Sequence, residues 1–554
     1  MSPDLRSRLD RITNLLFAGG VNDPITYIEQ ISYLIYLKLL DEVENERELQ
    51  ARLTGQHTSL FPQQAARYRW SQWRFLSGDK LLKFVRDEVF PYLGSLVKEE
   101  PDVAAYFQDA RLQIEDANVL KEVVDEIDHI AFARLGTDVK GDIFEYLLQY
   151  LATQEGALLG QFRTPRQIRK LMVEVTDPDL GDTIHDPACG TGGFIIDAIE
   201  HILAKYSSAP VEVPIYGESW LEKEGVSLEQ AKKKNPALQT YRKGPGDLLP
   251  DWGQLEASLF GHDVSSKMVR IARMNLVLHG FPRAKLRRAN TLSDLGGLTE
   301  DDLARRYKVI LSNPPFAGML PRDSIRSDLP TNSKKSELLF LAVMMQALAP
   351  GGRCAVVAPE GLLFGSTAAH LELRKKLVTD FNVQAVVSLP AGVFKPYAGV
   401  KTSILVFRRP SDAGKKQPEA GKNPPHVWFY EIAADGYDPE KVSGGGRPQT
   451  PERNDIPEFL QRWRDYKTSG FTNPWGARGL QLLPADHPEP KSWWATLEQI
   501  EQADWTLSAS RYKPQRVTAV NEDDPRALIR AAIKTEVAIT KGLEALFAKL
   551  EPEK

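Results

Sequence analysis

Cysteine is almost missing from this chain: Cys189 and Cys354 are the only two in 554 residues. They lie far apart with no second pair, which excludes a disulfide framework and a CxxC-type zinc site and fits a reducing cytosol. Long apolar runs are missing too. The longest, LLFLAVMMQALA at 338–349, is too short to span a bilayer and ends at Pro350-Gly351-Gly352. The opening residues, MSPDLRSRLDRI, are charged from the start and lack the apolar core of a signal peptide. These absences predict a cytoplasmic protein with no membrane segment. Neither charge sign dominates, since 70 basic and 74 acidic residues leave a formal net charge of −4. That does not exclude nucleic acid, because binding needs a local basic face rather than a basic total. No internal repeat is evident.

What is present is an ordinary globular composition, 42% hydrophobic and 26% charged, on a chain long enough for two or three domains. Residues 1–155 read as helices. ITYIEQISYLIYLKLLDEVENE, LLKFVRDEVFPYLGSLV, LKEVVDEIDHIAF and KGDIFEYLLQYLAT all repeat apolar residues at three- and four-residue steps. Between the first two, ARYRWSQWRFLSGDK (66–80) interleaves Arg67, Arg69, Arg74 and Lys80 with Tyr68, Trp70, Trp73 and Phe75. Such a stretch either tracks a nucleic-acid backbone or anchors a loop to the helical core, and the second reading is favoured.

From 156 to 410 short apolar runs (DTIHDP, SLFGHD, YKVILSNPP, GGRCAVVAP, FNVQAVVSLP) alternate with helical patterns such as GGFIIDAIEHILAKY and VRIARMNLVLHG. The alternation predicts an α/β, doubly wound parallel sheet. GVKTSILVFRRP (399–410) reads as a late antiparallel strand at the end of that sheet. Residues 411–554 form a C-terminal region with two flexible stretches, SDAGKKQPEAGKNPP and SGGGRPQTPERND. It closes in an amphipathic helix whose stripe includes Ile529, Ile533, Val537, Ile539, Leu543, Leu546 and Leu550. That stripe suits either folding back or docking to a partner helix.

The chemistry concentrates in HDPACGTGGFIIDA (185–198), a strand-to-helix loop where a doubly wound sheet presents a nucleotide-like ligand. Gly190, Gly192 and Gly193 permit close backbone approach. No Lys-Ser/Thr follows, so it is not a P-loop, and it departs from the dinucleotide GxGxxG. An acid before a glycine loop suits a ligand with an amino group and no phosphates. S-adenosylmethionine (SAM) is such a ligand, with Asp186 accepting from its α-ammonium. A second acid is needed for the ribose hydroxyls. Asp263, at the end of a strand, is favoured over Glu218, which opens a charged insertion. Cys189, His185 and His262 read as packing residues, since no base or metal-ligand spacing accompanies them.

The second focus is LSNPPFAG (311–318), where two prolines must end a strand. The 6-amino group of adenine is a poor nucleophile because its lone pair is delocalised into the ring. The side-chain oxygen of Asn313 and the carbonyl of Pro314 can accept its hydrogens, Pro315 holds that carbonyl rigidly, and Phe316 can stack on a flipped base. Positioning and polarisation then carry the reaction.

These residues resemble the amino-group DNA methyltransferases, and within them the modification subunit (HsdM) of type I restriction–modification systems. GQFRTPRQIRKLM (160–172), DPACGTGGF, MNLVLHG (274–280) and NPPF (313–316) match in order, and the resemblance covers most of the chain. It implies a Rossmann-like SAM-dependent methyltransferase domain over 156–410, a helical N-terminal domain over 1–155 that contacts DNA and the complex, and a C-terminal helical extension over 411–554. The implied activity is adenine-N6 methylation of double-stranded DNA. The implied partners are a specificity subunit, a second copy of the chain and a restriction motor subunit. Carried onto this sequence, the SAM site comprises Gln161, Phe162, Thr164, Pro165, Asp186, Pro187, Ala188, Gly190, Thr191, Gly192, Gly193, Asp263, Asn290 and Thr291. The catalytic loop comprises Asn313, Pro314, Pro315 and Phe316, and no metal site is implied.

The sequence departs from the family pattern at three places. Asn290 stands where an acid is common, Arg163 where an aromatic is usual, and residues 206–258 form an unusually long segment between cofactor motifs. Two competing readings are an autonomous methyltransferase whose C-terminal region reads DNA and a non-catalytic SAM-binding assembly subunit. Basic residues Arg270, Arg273, Arg283, Lys285, Arg287 and Arg288 cluster near the third motif, and helix-surface solvation is favoured over phosphate contact for most of them.

Overall fold

A computed structural model describes residues 3–21, 23–54, 59–98, 100–108, 110–132, 143, 146–147, 164–249, 252–395, 399–411, 425–441, 447–484, 486–516 and 525–550. Gln161, Phe162 and most of KGDIFEYLLQYLAT lie outside the described residues.

The strands begin with β1 (Ile184–Asp186). β2 (Val211–Pro214) and β3 (Thr240–Lys243) pair with each other as a side hairpin. β4 (Leu259–Asp263), β5 (Lys285–Arg288), β6 (Tyr307–Ser312), β7 (Leu348–Pro359), β8 (Asn382–Ser388), β9 (Thr402–Arg408) and β10 (His426–Glu431) follow. β11 (Asp435–Tyr437) and β12 (Gln449–Asn454) form another hairpin, and β13 (Ala477–Arg478), β14 (Leu482–Leu483), β15 (Ser492–Thr496) and β16 (Gln515–Arg516) complete the set.

Ten of these strands make one sheet in the order β13-β15-β10-β8-β9-β7-β6-β1-β4-β5. β5, β4, β1, β6 and β7 are mutually parallel. Both faces of the sheet are covered, so its strands are near-continuous apolar runs whose successive side chains enter opposite cores. Val309 and Leu311 of β6 enter one core with the helices Arg166–Thr176, Gly193–Lys205, Ser266–Leu278 and Ile456–Thr468. Ile310 enters the opposite core with the helices Ser336–Ala347 and Ala368–Asp380. The sheet is doubly wound, as the alternation predicts.

Two expectations need correction. β9 is antiparallel but is not at the end of the sheet, because it inserts between β7 and β8 and bonds to both. Its six buried residues in a row match a central strand rather than an edge. Nor does the sheet end at residue 410: β10 adds parallel to β8, and β15 and β13 extend it further. A polar stretch at 411–425 looked like a boundary, yet it precedes a strand whose core residues Val427, Trp428, Phe429 and Tyr430 are fully buried. Part of the second stretch taken as flexible, 449–454, is β12.

The N-terminal helices Pro3–Ala18, Pro24–Thr54 and Ala117–Asp128 pack into a separate core. The Ser266–Leu278 helix serves both units. Val269, Ala272 and Leu276 face the sheet, whereas Met268, Ile271, Met274 and Leu278 enter the helical core. Arg270 Nε bonds Glu29 Oε1 at 2.6 Å, and Lys267 Nζ reaches Asp23 Oδ2 at 3.1 Å across that seam. The basic cluster is therefore largely engaged within the chain. Arg273 donates to the Leu286 carbonyl, Arg287 pairs with Asp302, and Arg288 donates to the Val264 carbonyl. In the 66–80 stretch Trp70 and Trp73 are buried, Arg69 pairs with Asp41 and Glu48, and Arg74 with Asp128, so the anchoring reading holds.

The 206–258 segment forms the β2–β3 hairpin with the helices Glu218–Glu224 and Leu228–Lys234 between its strands. Tyr241 sits under Lys170, and the Tyr216 hydroxyl donates to the Gly436 carbonyl at 2.7 Å, joining the segment to the β11–β12 hairpin. Among the described residues no helix is long and apolar enough to cross a membrane.

Candidate active site

Chain order reverses beside β1: β4 and β5 lie to one side of it, β6 and β7 to the other. Crevices at the carboxyl ends of strands around such a switch point are where open α/β sheets hold ligands. Asp186 ends β1, Asp263 ends β4, and Asn313 follows β6. Three adjacent strands thus bring both acids and the NPPF loop to one end of the sheet.

Asp186 is fully buried, and its Oδ1 accepts from the Ala188 N–H at 3.0 Å and from Ser312 Oγ at 2.7 Å. The second bond ties this acid to the residue immediately before Asn313. Burial pushes the Asp186 carboxyl up to about 7, against the lowering effect of these two donors. Asp263 is also buried and raised by desolvation. Its Oδ1 accepts from the Ser265 N–H at 2.8 Å and its Oδ2 from the Gly190 N–H at 3.0 Å. Each oxygen retains a second acceptor direction. Glu218, the alternative acid, is exposed on the inserted helix away from the strand ends.

The loop between β1 and the Gly193–Lys205 helix turns through Gly190 at φ 50° and Gly192 at φ 78°. A side chain at Gly192 would meet Ala272 Cβ at 3.3 Å, so glycine allows the loop to lie against the Ser266–Leu278 helix. At Gly190 a Cβ would meet nothing within 4 Å, which leaves open space in front of the loop. Asn275, within the MNLVLHG string, braces the loop by donating to the Thr191 carbonyl at 3.0 Å. Thr291 Oγ1 donates to the Pro187 carbonyl at 3.2 Å. Asn290 Oδ1 accepts from the Leu292 N–H at 3.1 Å, an Asx turn that shapes its own loop.

Asn313 Nδ2 donates to Thr164 Oγ1 at 2.9 Å, while its Oδ1 is buried without a partner among the described residues. A buried amide oxygen left open is costly unless something completes it. Pro314 is buried, Pro315 exposed, and the half-buried Phe316 ring meets Phe394 edge to face at 5.8 Å. Pro165 precedes the Arg166–Thr176 helix beside this loop.

Ser312, Asn275 and Thr164's bond to Asn313 were not anticipated as parts of one network. Asn275 had a signal, since it lies in a string matched to the family. Ser312 had only its place one residue before Asn313. Cys189 is buried, and desolvation beside Asp186 raises its thiol well above the usual range. His185 Nε2 and His262 Nδ1 lie 2.9 Å apart, both buried, with His185 stacked on Tyr307. Burial and then His262 hold the His185 imidazole far below its ordinary value, so it is a neutral packing group.

Comparison with known proteins adds the following. A family model described as N-6 DNA Methylase matches residues 135–230 and 247–521, and one described as HsdM N-terminal domain matches 5–127. The Type I restriction enzyme EcoEI methylase subunit of Escherichia coli is 31% identical over 427 residues, covering 74% of each chain. A chain solved in work on complex assembly and conformational transition of the type I R-M system superposes with a TM-score of 0.63. It is 27% identical and covers 100% of this chain and 99% of its own. A modification subunit of a putative type I restriction enzyme from Vibrio vulnificus YJ016 gives 0.58 at 26% identity, over 83% of this chain and 90% of its own.

Proposed function

The chain belongs to the N-6 DNA methylase family, and from that premise we propose that it is the modification subunit of a type I restriction–modification complex, methylating the 6-amino group of adenine in DNA. The observation that carries this reading is the buried, unpartnered Oδ1 of Asn313 at the carboxyl end of β6. An amino group completes that acceptor, and a hydrogen bond from the substrate amine is what the chemistry needs there.

When bound, SAM supplies an activated methyl group for a single in-line transfer. The residues present fit it: a glycine loop, Gly190 to Gly193, that faces open space at Gly190 and has buried acids at the ends of the two adjoining strands. Asp186 takes the α-ammonium and Asp263 the ribose hydroxyls. Pro187 and Ala188 carry the turn, Thr291 and Asn290 border the adenine end, and Thr164 and Pro165 close the far side; Gln161 and Phe162, carried over from the family resemblance, lie outside the described residues.

Asn313 Oδ1 and the Pro314 carbonyl accept the two hydrogens of the target amine and localise its lone pair on nitrogen. Pro315 stiffens the loop, and Phe316 offers its ring to the flipped base. The resulting stabilisation comes from dipoles already in place and needs no titrating base beside the amine.

Target reading falls to a separate specificity subunit, with double-stranded DNA as substrate, a second copy of this chain opposite and a restriction motor subunit in the full assembly. Two features support that division. β10, β15 and β13 complete the sheet, so residues 426–496 are not a free reading domain. The Pro525–Leu550 helix also leaves Ile529, Ile533, Val537, Ile539 and Leu543 half or more exposed, a stripe suited to a partner's helices. The test is to incubate the purified chain with SAM and unmethylated DNA, alone and with its co-expressed genomic neighbour, and to quantify 6-methyladenine by mass spectrometry. Product only with the neighbour is expected. Product from the isolated chain would place recognition in this chain instead.

A further inference from the structure

An asparagine amide presents two unlike ends. Turned one way it offers an acceptor to the target amine; turned the other it offers a second amine and repels it. The acceptor end can serve the target amine only if the plane of the Asn313 amide is held, and that plane is held from outside the NPPF loop. We infer that Thr164 holds it, and that Arg169 and Asp197 keep Thr164 in place for that purpose.

The geometry is continuous. Thr164 is buried, and its Oγ1 accepts from Asn313 Nδ2 at 2.9 Å, which leaves Oδ1 as the open end. The Thr164 carbonyl accepts from Arg169 Nη1 at 2.9 Å, and Arg169 Nε pairs with Asp197 Oδ2 at 2.5 Å. Asp197 is buried and also takes Lys170 at 3.1 Å. Arg169 in turn lies against Gly193, where a Cβ would approach Nε to 3.1 Å. One buried chain of bonds therefore runs from the start of the glycine loop's helix through Asp197, Arg169 and Thr164 to the catalytic amide. The Arg166–Thr176 helix, which carries Arg169, is anchored to the sheet by Ile168, Leu171 and Met172, so the pin is stiff.

A threonine hydroxyl can also donate, so it would tolerate a flipped amide in the empty site. Flipping would place the NH2 toward the crevice, where the substrate's own donors exclude it. Thr164 thus keeps the amide plane fixed, and the target amine selects the end that faces it. Without the hydroxyl, Nδ2 would lose its acceptor, and the amide would turn to find another. Thr164 is a positioning residue in this scheme, acting through Asn313, and the inference rests on the proposed role of Asn313.

Thr164→Val keeps the shape and the methyl group that border the cofactor and removes only the hydroxyl, whereas Thr164→Ser keeps the hydroxyl. In the chain assembled with its genomic neighbour, kcat of Thr164→Val should fall roughly 10- to 100-fold. Its SAM Kd should move less than about threefold, and Thr164→Ser should recover most of the rate. Thr164→Ala substitutes for the valine variant if that variant does not fold. Valine turnover within twofold of wild type, or equal loss in the serine variant, would overturn the inference. Asn313→Ala, measured alongside, separates the two ideas: if it is inactive while Thr164→Val is normal, only the role of Thr164 fails. If Asn313→Ala is itself active, the reading of the loop fails with it.

Discussion

Replacing Asp186 by asparagine removes a carboxyl that burial raises from its ordinary 3.8 to about 7. Such a group is about one-tenth ionised at pH 6 and three-quarters ionised at pH 7.5. Only the ionised form offers a full charge to the SAM ammonium, so the wild-type Kd for SAM should be roughly eightfold weaker at pH 6 than at pH 7.5. Titration calorimetry across that range, in two buffers of different ionisation enthalpy, reads both the affinity and the proton released on binding. Asp186→Asn should bind more weakly at pH 7.5 and lose the dependence. The sign for the empty protein is the reverse. The unfolded carboxyl ionises first as pH rises, so the folded state loses stability between the ordinary value and about 7, and the asparagine variant loses that slope. A wild-type affinity flat from pH 6 to 7.5, or a slope that survives in the variant, would refute the assignment.

Two further outcomes follow from other parts of the molecule. Glu29 is buried at the seam between the helical unit and the methyltransferase domain, where it holds Arg270 and accepts from the Tyr33 hydroxyl at 3.2 Å. Glu29→Ala should cost about 3 kcal/mol in urea denaturation by leaving a cation unpaired, and a loss under about 1 kcal/mol would show that the seam is wet or weak. Ile533→Asp with Leu543→Asp, at positions 53% and 63% exposed, should leave the melting temperature of the isolated chain unchanged while abolishing co-purification with the genomic neighbour. Retained co-purification would mean that the C-terminal stripe does not dock that partner.

The parallel half of the sheet was legible because each strand pairs an apolar run with a loop carrying its own chemistry, as in DTIHDP and YKVILSNPP. The placement of β9 was not. Insertion between β7 and β8 depends on which edges are free when it arrives, and its own sequence carries no mark of that. The same holds for β10, β13 and β15, which follow a polar segment and join a sheet begun more than 200 residues earlier. The gathering of Asp186, Asp263 and Asn313 at one end of the sheet was legible because each stands at or just past the end of a strand and sits in a distinctive string. Their supports were not: Ser312 is an ordinary hydroxyl residue until the fold sets it 2.7 Å from Asp186, and Thr164, named for the SAM site, gave no sign of its 2.9 Å bond to Asn313. For the basic residues around 280, helix-surface solvation was favoured over phosphate contact, and most of them are instead engaged within the chain, by Glu29, Asp302 and backbone carbonyls.

The open oxygen of Asn313 is the centre of the account, and one measurement tests it most directly. The chain and its genomic neighbour, wild type or with Asn313→Ala, are given SAM and unmethylated DNA, and 6-methyladenine is counted by mass spectrometry after a check that both bind SAM equally. The account predicts product in the wild type and none above background in the variant. Near-wild-type product from Asn313→Ala would contradict it.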